Sequence, residues 1–131
     1  MMSDLMNALA ISSSGLAAQA GRLNIVSQNV ANADTPGYRR KLTTFETMVP
    51  SFDGKPGVRI GAERLDQSTL PMIHDPSHPM ANAEGLYQGS NVSLTIEMAD
   101  AREAQRSYEA NLRTFDNARQ MTRSLLELLR R

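Results

Sequence analysis

SGLAAQAGRLNIVSQNVANADTPGY, residues 14–38, decides the fold. Leu16, Leu23 and Val30 recur every seven positions and extend back to Leu9, with Leu5, Met6, Ala20 and Val26 beside them, the spacing of an amphipathic helix. Asn32, Asp34, Pro36 and Gly37 then collect where a helix stops, because proline lacks the amide that the next turn needs. The spacing predicts a helix capped at Ser3 or Asp4 and ending near residue 32. Charge is scarce: residues 1–34 carry only Asp4, Arg22 and Asp34, so most of the helix surface suits contact.

Residues 92–131 read as a second helix with a different surface. Leu94, Met98, Ala101, Tyr108, Leu112, Phe115, Leu125, Leu126 and Leu129 follow spacings of three and four, while seven Arg and six acidic residues are interspersed. Glu109 to Arg113 and Glu127 to Arg131 are i,i+4 pairs in the favourable acid-first order, and Asp116 to Arg119 is an i,i+3 pair. Gln105, Arg119 and Thr122 interrupt the stripe, which favours contacts with several neighbours over a uniform coiled-coil dimer. Asn91-Val92-Ser93 matches a glycosylation sequon, but it stands where an N-cap belongs.

All six prolines, at 36, 50, 56, 71, 76 and 79, lie between the helices. Lys41 to Val49, Val58 to Ala62 and Thr69 to His74 are candidate strands, with Phe52-Asp53-Gly54 and Lys55-Pro56-Gly57 as turns. The expected fold is mainly α: two long terminal helices packed as an elongated, antiparallel, coiled-coil-like pair, with a small irregular β and loop insert. The parts are residues 1–34, 35–90 and 91–131. A helix of about 38 residues is about 57 Å long at 1.5 Å per residue, against a radius of gyration of about 14 Å for a compact chain of this size. Such a pair leaves apolar stripes that other chains must cover.

Composition narrows the function. Formal net charge is +0, so no global field recruits nucleic acid, and the acids among Arg102, Arg106, Arg113, Arg119 and Arg123 cancel any local one. There is no Cys, hence no disulfide or thiolate metal site. The first basic residue is Arg22, too late for the basic start of a cleaved signal, and the uncharged stretch before it is too polar to span a membrane. His74, Asp75 and His78 suggest three metal ligands, but Pro76 and Pro79 preclude the helix that would align the two imidazoles, so no metal and no cofactor is expected. No recognisable nucleophile motif accompanies the histidines, and the chain does not read as an enzyme.

On pattern alone the opening stretch is an Ala/Ser-rich core helix with a Pro-Gly stop. Its joint spacing says more. Ser14-Gly15-Leu16, Arg22-Leu23-Asn24, Gln28-Asn29-Val30-Ala31-Asn32 and Thr35-Pro36-Gly37-Tyr38 together resemble the N-terminal signature shared by rod, hook and hook-associated proteins of the bacterial flagellum. Glu97-Met98, Arg106-Ser107-Tyr108-Glu109-Ala110-Asn111 and Met121 are similar to their C-terminal signature. His74-Asp75-Pro76-Ser77-His78-Pro79, then Ala81 to Gly85 and Asn91-Val92, looks like a segment that sets one proximal-rod member apart.

The resemblance implies a structural subunit of the proximal rod of the basal body, exported through the flagellar type III apparatus to the periplasmic rod without a cleaved signal. It implies polymerisation through both terminal helices into a hollow axial drive shaft needed for motility. Implied partners are copies of itself, other rod proteins, and the inner-membrane ring and adaptor proteins at the rod base, with no nucleic acid and no membrane span. Candidate subunit-contact residues are Leu9, Leu16, Leu23, Asn24, Asn29, Val30, Asn32, Tyr38, Met98, Tyr108, Asn111, Leu112, Phe115, Leu125, Leu126 and Leu129. The asparagines pair amide donors and acceptors with an apolar stripe and so can fix register. A secreted coiled-coil effector or adaptor is the alternative for the same helices.

Overall fold

A computed structural model describes residues 1–48 and 54–131. Helix α1 spans Met2–Ala31 and helix α2 spans Leu94–Arg130. Between them lie six short strands, β1 (Lys41–Leu42), β2 (Phe45–Met48), β3 (Gly57–Ile60), β4 (Arg64–Leu65), β5 (Met72–His74) and β6 (Leu86–Gln88). They form three separate antiparallel pairs, β1 with β4, β2 with β3 and β5 with β6.

The helices run antiparallel. Asn29 reaches Glu97, and Arg22 reaches Asp100 and Glu103. Gly15 lies against Asn111, where an added Cβ would sit 2.9 Å from the amide nitrogen. Met1 and Leu5 share a groove with Met121 and Leu125. With 37 residues, α2 is about 55 Å long.

From Glu97 to Leu125 the shielded residues of α2 are Glu97, Ala101, Ala104, Tyr108, Asn111, Phe115, Ala118, Thr122 and Leu125, in alternating steps of four and three, with only half-buried Asp100 and Ser107 off that line. The rest of α2 between these limits is exposed. Small and large residues alternate in the contact: Ala104 and Ala118 on α2 and Ser12 and Ala18 on α1 are buried, beside Ile25, Val26 and Asn29 of α1 and the half-buried Tyr108 and Phe115 of α2. α1 buries a wider face, because β3 also packs on it. The Ser14 hydroxyl accepts the Val58 amide at 2.9 Å, and Ile60 lies against Gly21.

α1 ends where the sequence indicates, and Asn32 performs the stop. Its amide and its Nδ2 both donate to the Gln28 carbonyl, at 3.1 and 2.9 Å, while its Oδ1 accepts the Thr35 hydroxyl at 3.1 Å. The start differs from expectation. Met1 is the N-cap, Ser3 and Asp4 fall inside the first turn, and no side chain caps the helix. Ser93 is the N-cap of α2, again without a side-chain cap bond. Asn91 is drawn elsewhere, accepting the Arg40 amide at 2.6 Å and donating to Asp66 O at 3.0 Å.

Three other expectations change. The run Lys41 to Val49 is two strands, split at residues 43 and 44, so that β1 and β2 take different partners; Val49, Pro50 and the Phe52-Asp53 part of the predicted turn lie outside the described residues. β4 and β6 are strands that the alternation did not mark. Glu109 with Arg113, Glu127 with Arg131 and Asp116 with Arg119 do not close into ion pairs; α2 instead sends Glu97, Asp100 and Glu103 to basic residues of other segments. Among the described residues no helix is long and apolar enough to cross a membrane.

Candidate functional site

Two features stand out: a polar clasp where α1 ends and α2 begins, and an open apolar groove at the opposite end.

The clasp is built around Glu97, in the first turn of α2 and fully buried at 0% exposure. Arg40, from the segment between α1 and β1, donates its Nε to Glu97 Oε1 and its Nη2 to Asp100 Oδ2 at 2.8 Å. Arg22 of α1 reaches the other Asp100 oxygen at 3.4 Å, so one carboxylate joins both helices and the strap between them. Asn29 is buried and fully bonded. Its Oδ1 accepts from Tyr38 Oη and Lys41 N, both at 2.9 Å, and its Nδ2 donates to Lys41 O at 3.0 Å and Glu97 Oε2 at 3.4 Å. Burial, then the charges of Glu97 and Glu63, pushes the Tyr38 phenol above its ordinary pKa, which keeps it a donor.

At the other end, Met1, Leu5, Met121, Leu125 and Leu128 line a groove of about 610 Å³. Around it Leu126, Leu128 and Leu129 are 49%, 64% and 77% exposed. Three leucines are exposed within one helical turn, Leu128 in the groove itself, and exposed apolar side chains beside an apolar groove are of the kind that marks an interaction site.

The sequence candidates divide between these places. Asn29 and Tyr38 belong to the clasp, and Asn32 is the α1 cap. Tyr108, Asn111, Phe115 and Leu125 lie on the α1–α2 seam, and Leu9, Leu16 and Leu23 are half-buried on α1. Met98, Leu112, Leu126 and Leu129 are exposed, as are Val30 and Asn24. Gln105 and Arg119 alternate with Met98, Leu112 and Leu126 along one outer line, so what reads in the sequence as one interrupted stripe is two stripes side by side. Arg40 and Asp100 were missed, and Glu97 was marked only as part of the C-terminal signature, because an Arg and an acid 57 positions apart carry no local signal of their pairing; the trace is an acid at a seam position, four residues before Ala101.

The histidine loop is a folded turn. His78 stacks on Tyr87 with ring centroids 3.9 Å apart, and its Nδ1 accepts the Met80 amide at 3.0 Å. The Asp75 carboxyl sits below the usual range because the Ser77 hydroxyl and amide donate to it.

The fold is two terminal helices that pack on each other with short antiparallel strand pairs between them. The family model of the flagella basal body rod protein matches residues 9–39, and that of the flagellar basal body rod FlgEFG protein C-terminal region matches residues 83–128. Relatives match end to end. The flagellar basal-body rod protein FlgC of Agrobacterium fabrum is 40% identical, over 98% of this chain and 98% of its own length. The FlgC proteins of Bacillus subtilis and Salmonella typhimurium are 33% and 32% identical, over 93% and 95% of this chain and 96% and 97% of their own lengths. The chain belongs to the FlgC family of flagellar basal-body rod proteins, and it is a structural rod subunit of the basal body.

Proposed function

We propose that this subunit polymerises through α1 and α2 into the hollow proximal shaft of the rod, with residues 1–34 and 91–131 as one core domain and 35–90 as an insert that contacts neighbours outside it. The observation that carries this reading is the apolar surface of Leu126, Leu128 and Leu129 beside the groove, which no residue of this chain covers among those described. The four-and-three step of the α2 seam supports a coiled-coil-like pairing within the subunit, and Met98, Leu112 and Val30 supply further apolar positions toward neighbours. Copies of this chain, other rod proteins and the ring and adaptor proteins at the rod base are the proposed partners. The flagellar type III apparatus is the proposed route of the chain to the periplasmic rod.

The test replaces Leu126, Leu128 and Leu129 together by Ser and expresses the variant in a strain lacking the wild-type gene. Truncating a buried leucine costs roughly 2–5 kcal/mol, and in a polymer the loss recurs at every subunit. Export should persist while rods and swimming are lost. Normal swimming with intact purified basal bodies would remove these leucines from the assembly contacts.

A further inference from the structure

Each strand pair between the helices has two outer edges, and the chain covers one of them with its own groups. Hydrogen bonds alternate along an antiparallel ladder, so every second residue turns its amide and carbonyl away from the partner strand. In β1 that residue is Lys41, held on both groups by the Asn29 side chain. β3 turns out Val58, whose amide donates to the Ser14 hydroxyl at 2.9 Å. β6 turns out Leu86, bonded through both groups to Asn82, and Gln88, whose carbonyl accepts the Gly37 amide at 3.1 Å.

The opposite edges of β2 and β5 are open. The Thr44 carbonyl accepts the Gly61 amide at 2.7 Å, which fixes the alternation so that Phe45 and Thr47 face outward from β2. The bonds from Gly89 to Pro71 and from Asp75 to Gly85 do the same for Met72 and His74 of β5. Among the described residues nothing bonds the backbone groups of these four. β4 offers less, because it turns out only Leu65, whose carbonyl accepts the Gln67 side chain at 3.3 Å.

An open edge is a template for another strand, and chains that avoid such pairing place Lys or Pro on it. β2 and β5 contain neither; Pro71 and Pro76 flank β5 and limit its edge to Met72 through His74. Glu46 is the one charge on the two strands, and Arg59 of β3 holds it at 3.2 Å. Phe45, Thr47, Met72 and His74 are all exposed. Met72 also lines, with Pro36, Met80 and Leu86, a cleft of about 290 Å³ beside the β5 edge.

We propose that the two open edges meet between copies: β2 of one copy adds antiparallel to β5 of the next, making a four-stranded sheet in the order β3, β2, β5, β6, with Phe45 entering the cleft by Met72. The edges match in length, two outward residues each. Main-chain hydrogen bonds then supply affinity and the cleft supplies selectivity, the division of roles in strand addition. The two sheets stand at different heights on the molecule, β3 against Ser14 and Gly21 and β6 against Gly37 beyond the end of α1. The contact is therefore heterologous and repeats from copy to copy. The inference rests on the reading that copies of this chain meet in the rod, and it names the surfaces by which the insert joins them.

The chain has no Cys, so an introduced pair is free of background. Residues 46 and 73 are the middle positions of the two edges and come opposite each other, at the Cα spacing of about 4.5 Å where a disulfide closes. Glu46→Cys with Ile73→Cys, expressed in a strain lacking the wild-type gene, should give a ladder of oxidised multimers from purified basal bodies, and neither single variant should. Thr47→Pro removes an outward amide that its own subunit leaves unused, so the purified chain should keep its melting temperature while swimming is lost. Intact rods without a cross-link in the double variant overturn the strand pairing and leave assembly through the helices standing. Dimers from Ile73→Cys alone overturn it too, since β5 would then pair with its own copy. If the double variant builds no rods, Thr47→Pro decides, and normal swimming of that variant overturns the proposal.

Discussion

Asn29 pairs with Lys41 as a neighbouring strand would, its side-chain oxygen accepting the Lys41 amide at 2.9 Å and its nitrogen donating to the Lys41 carbonyl at 3.0 Å. One helical side chain thus satisfies both backbone groups of a residue that enters β1. Asn29→Ala orphans these groups, the Tyr38 hydroxyl and one oxygen of Glu97. At roughly 1–3 kcal/mol for a buried polar group left without a partner, with water reaching some of them, a net loss of about 3 kcal/mol is expected. Urea unfolding of the purified chain measures it, and a loss below about 1 kcal/mol would contradict the bonding described.

Tyr38 should make stability fall in alkali. Its folded pKa is raised above the unfolded value, so the native state holds the proton longer; the benefit is complete below pH about 10 and is lost as pH rises through the folded pKa. Tyr38→Phe should cost about 1 kcal/mol at pH 8, the worth of the bond to Asn29. The gap to wild type should narrow by pH 10.5. Denaturant curves at the two values check the sign, and a gap that widens in alkali refutes it.

Gly37 and Gly85 both have positive φ, at 74° and 76°, yet they should respond differently to alanine. A Cβ on Gly37 meets nothing within 4 Å, whereas one on Gly85 would lie 2.8 Å from Pro76 Cγ and 3.3 Å from its Cα. Gly37→Ala should cost only the left-handed backbone penalty, roughly 1–2 kcal/mol. Gly85→Ala adds a clash with a rigid ring and should cost clearly more. Melting temperatures of the two variants, at about 3–5 °C per kcal/mol for a chain of this size, give the comparison.

Gln19 carries a buried side-chain oxygen with no hydrogen-bond partner among the described residues. Gln19→Met keeps the length of the side chain and removes the orphaned acceptor, so it should be neutral or stabilise by up to about 2 kcal/mol. A melting temperature lowered by several degrees would show that the amide has a partner after all.

How much of this was legible from the sequence follows how local each cause is. The end of α1 was readable because Asn32, Pro36 and Gly37 act within one turn of where they stand. The start of α2 was readable for the same reason, although the Asn91 side chain bonds to Arg40 and Asp66 instead of capping the helix. β4 and β6 were not, since strands of two and three residues exist only by pairing with β1 and β5. The periodicity of α2 showed that a stripe is buried without saying by whom, and so it merged Tyr108 and Phe115 on the internal seam with Leu112 and Leu126 outside it. The clasp depends on tertiary closure between Arg40 and Glu97, which no spacing records.

The groove by Leu125 and the clasp by Glu97 sit at opposite ends of the same molecule. Turning the subunit end for end therefore exchanges an oily face for a knot of ion pairs. The subunit has a heading, as an arrow has. A row built by repeating one contact between the oily face and a different surface of the next copy points every member the same way, because such a heterologous contact propagates head to tail, whereas oily face on oily face would give a closed pair. Such a row has a top and a bottom from its second member onward, with no other molecule needed to mark which is which.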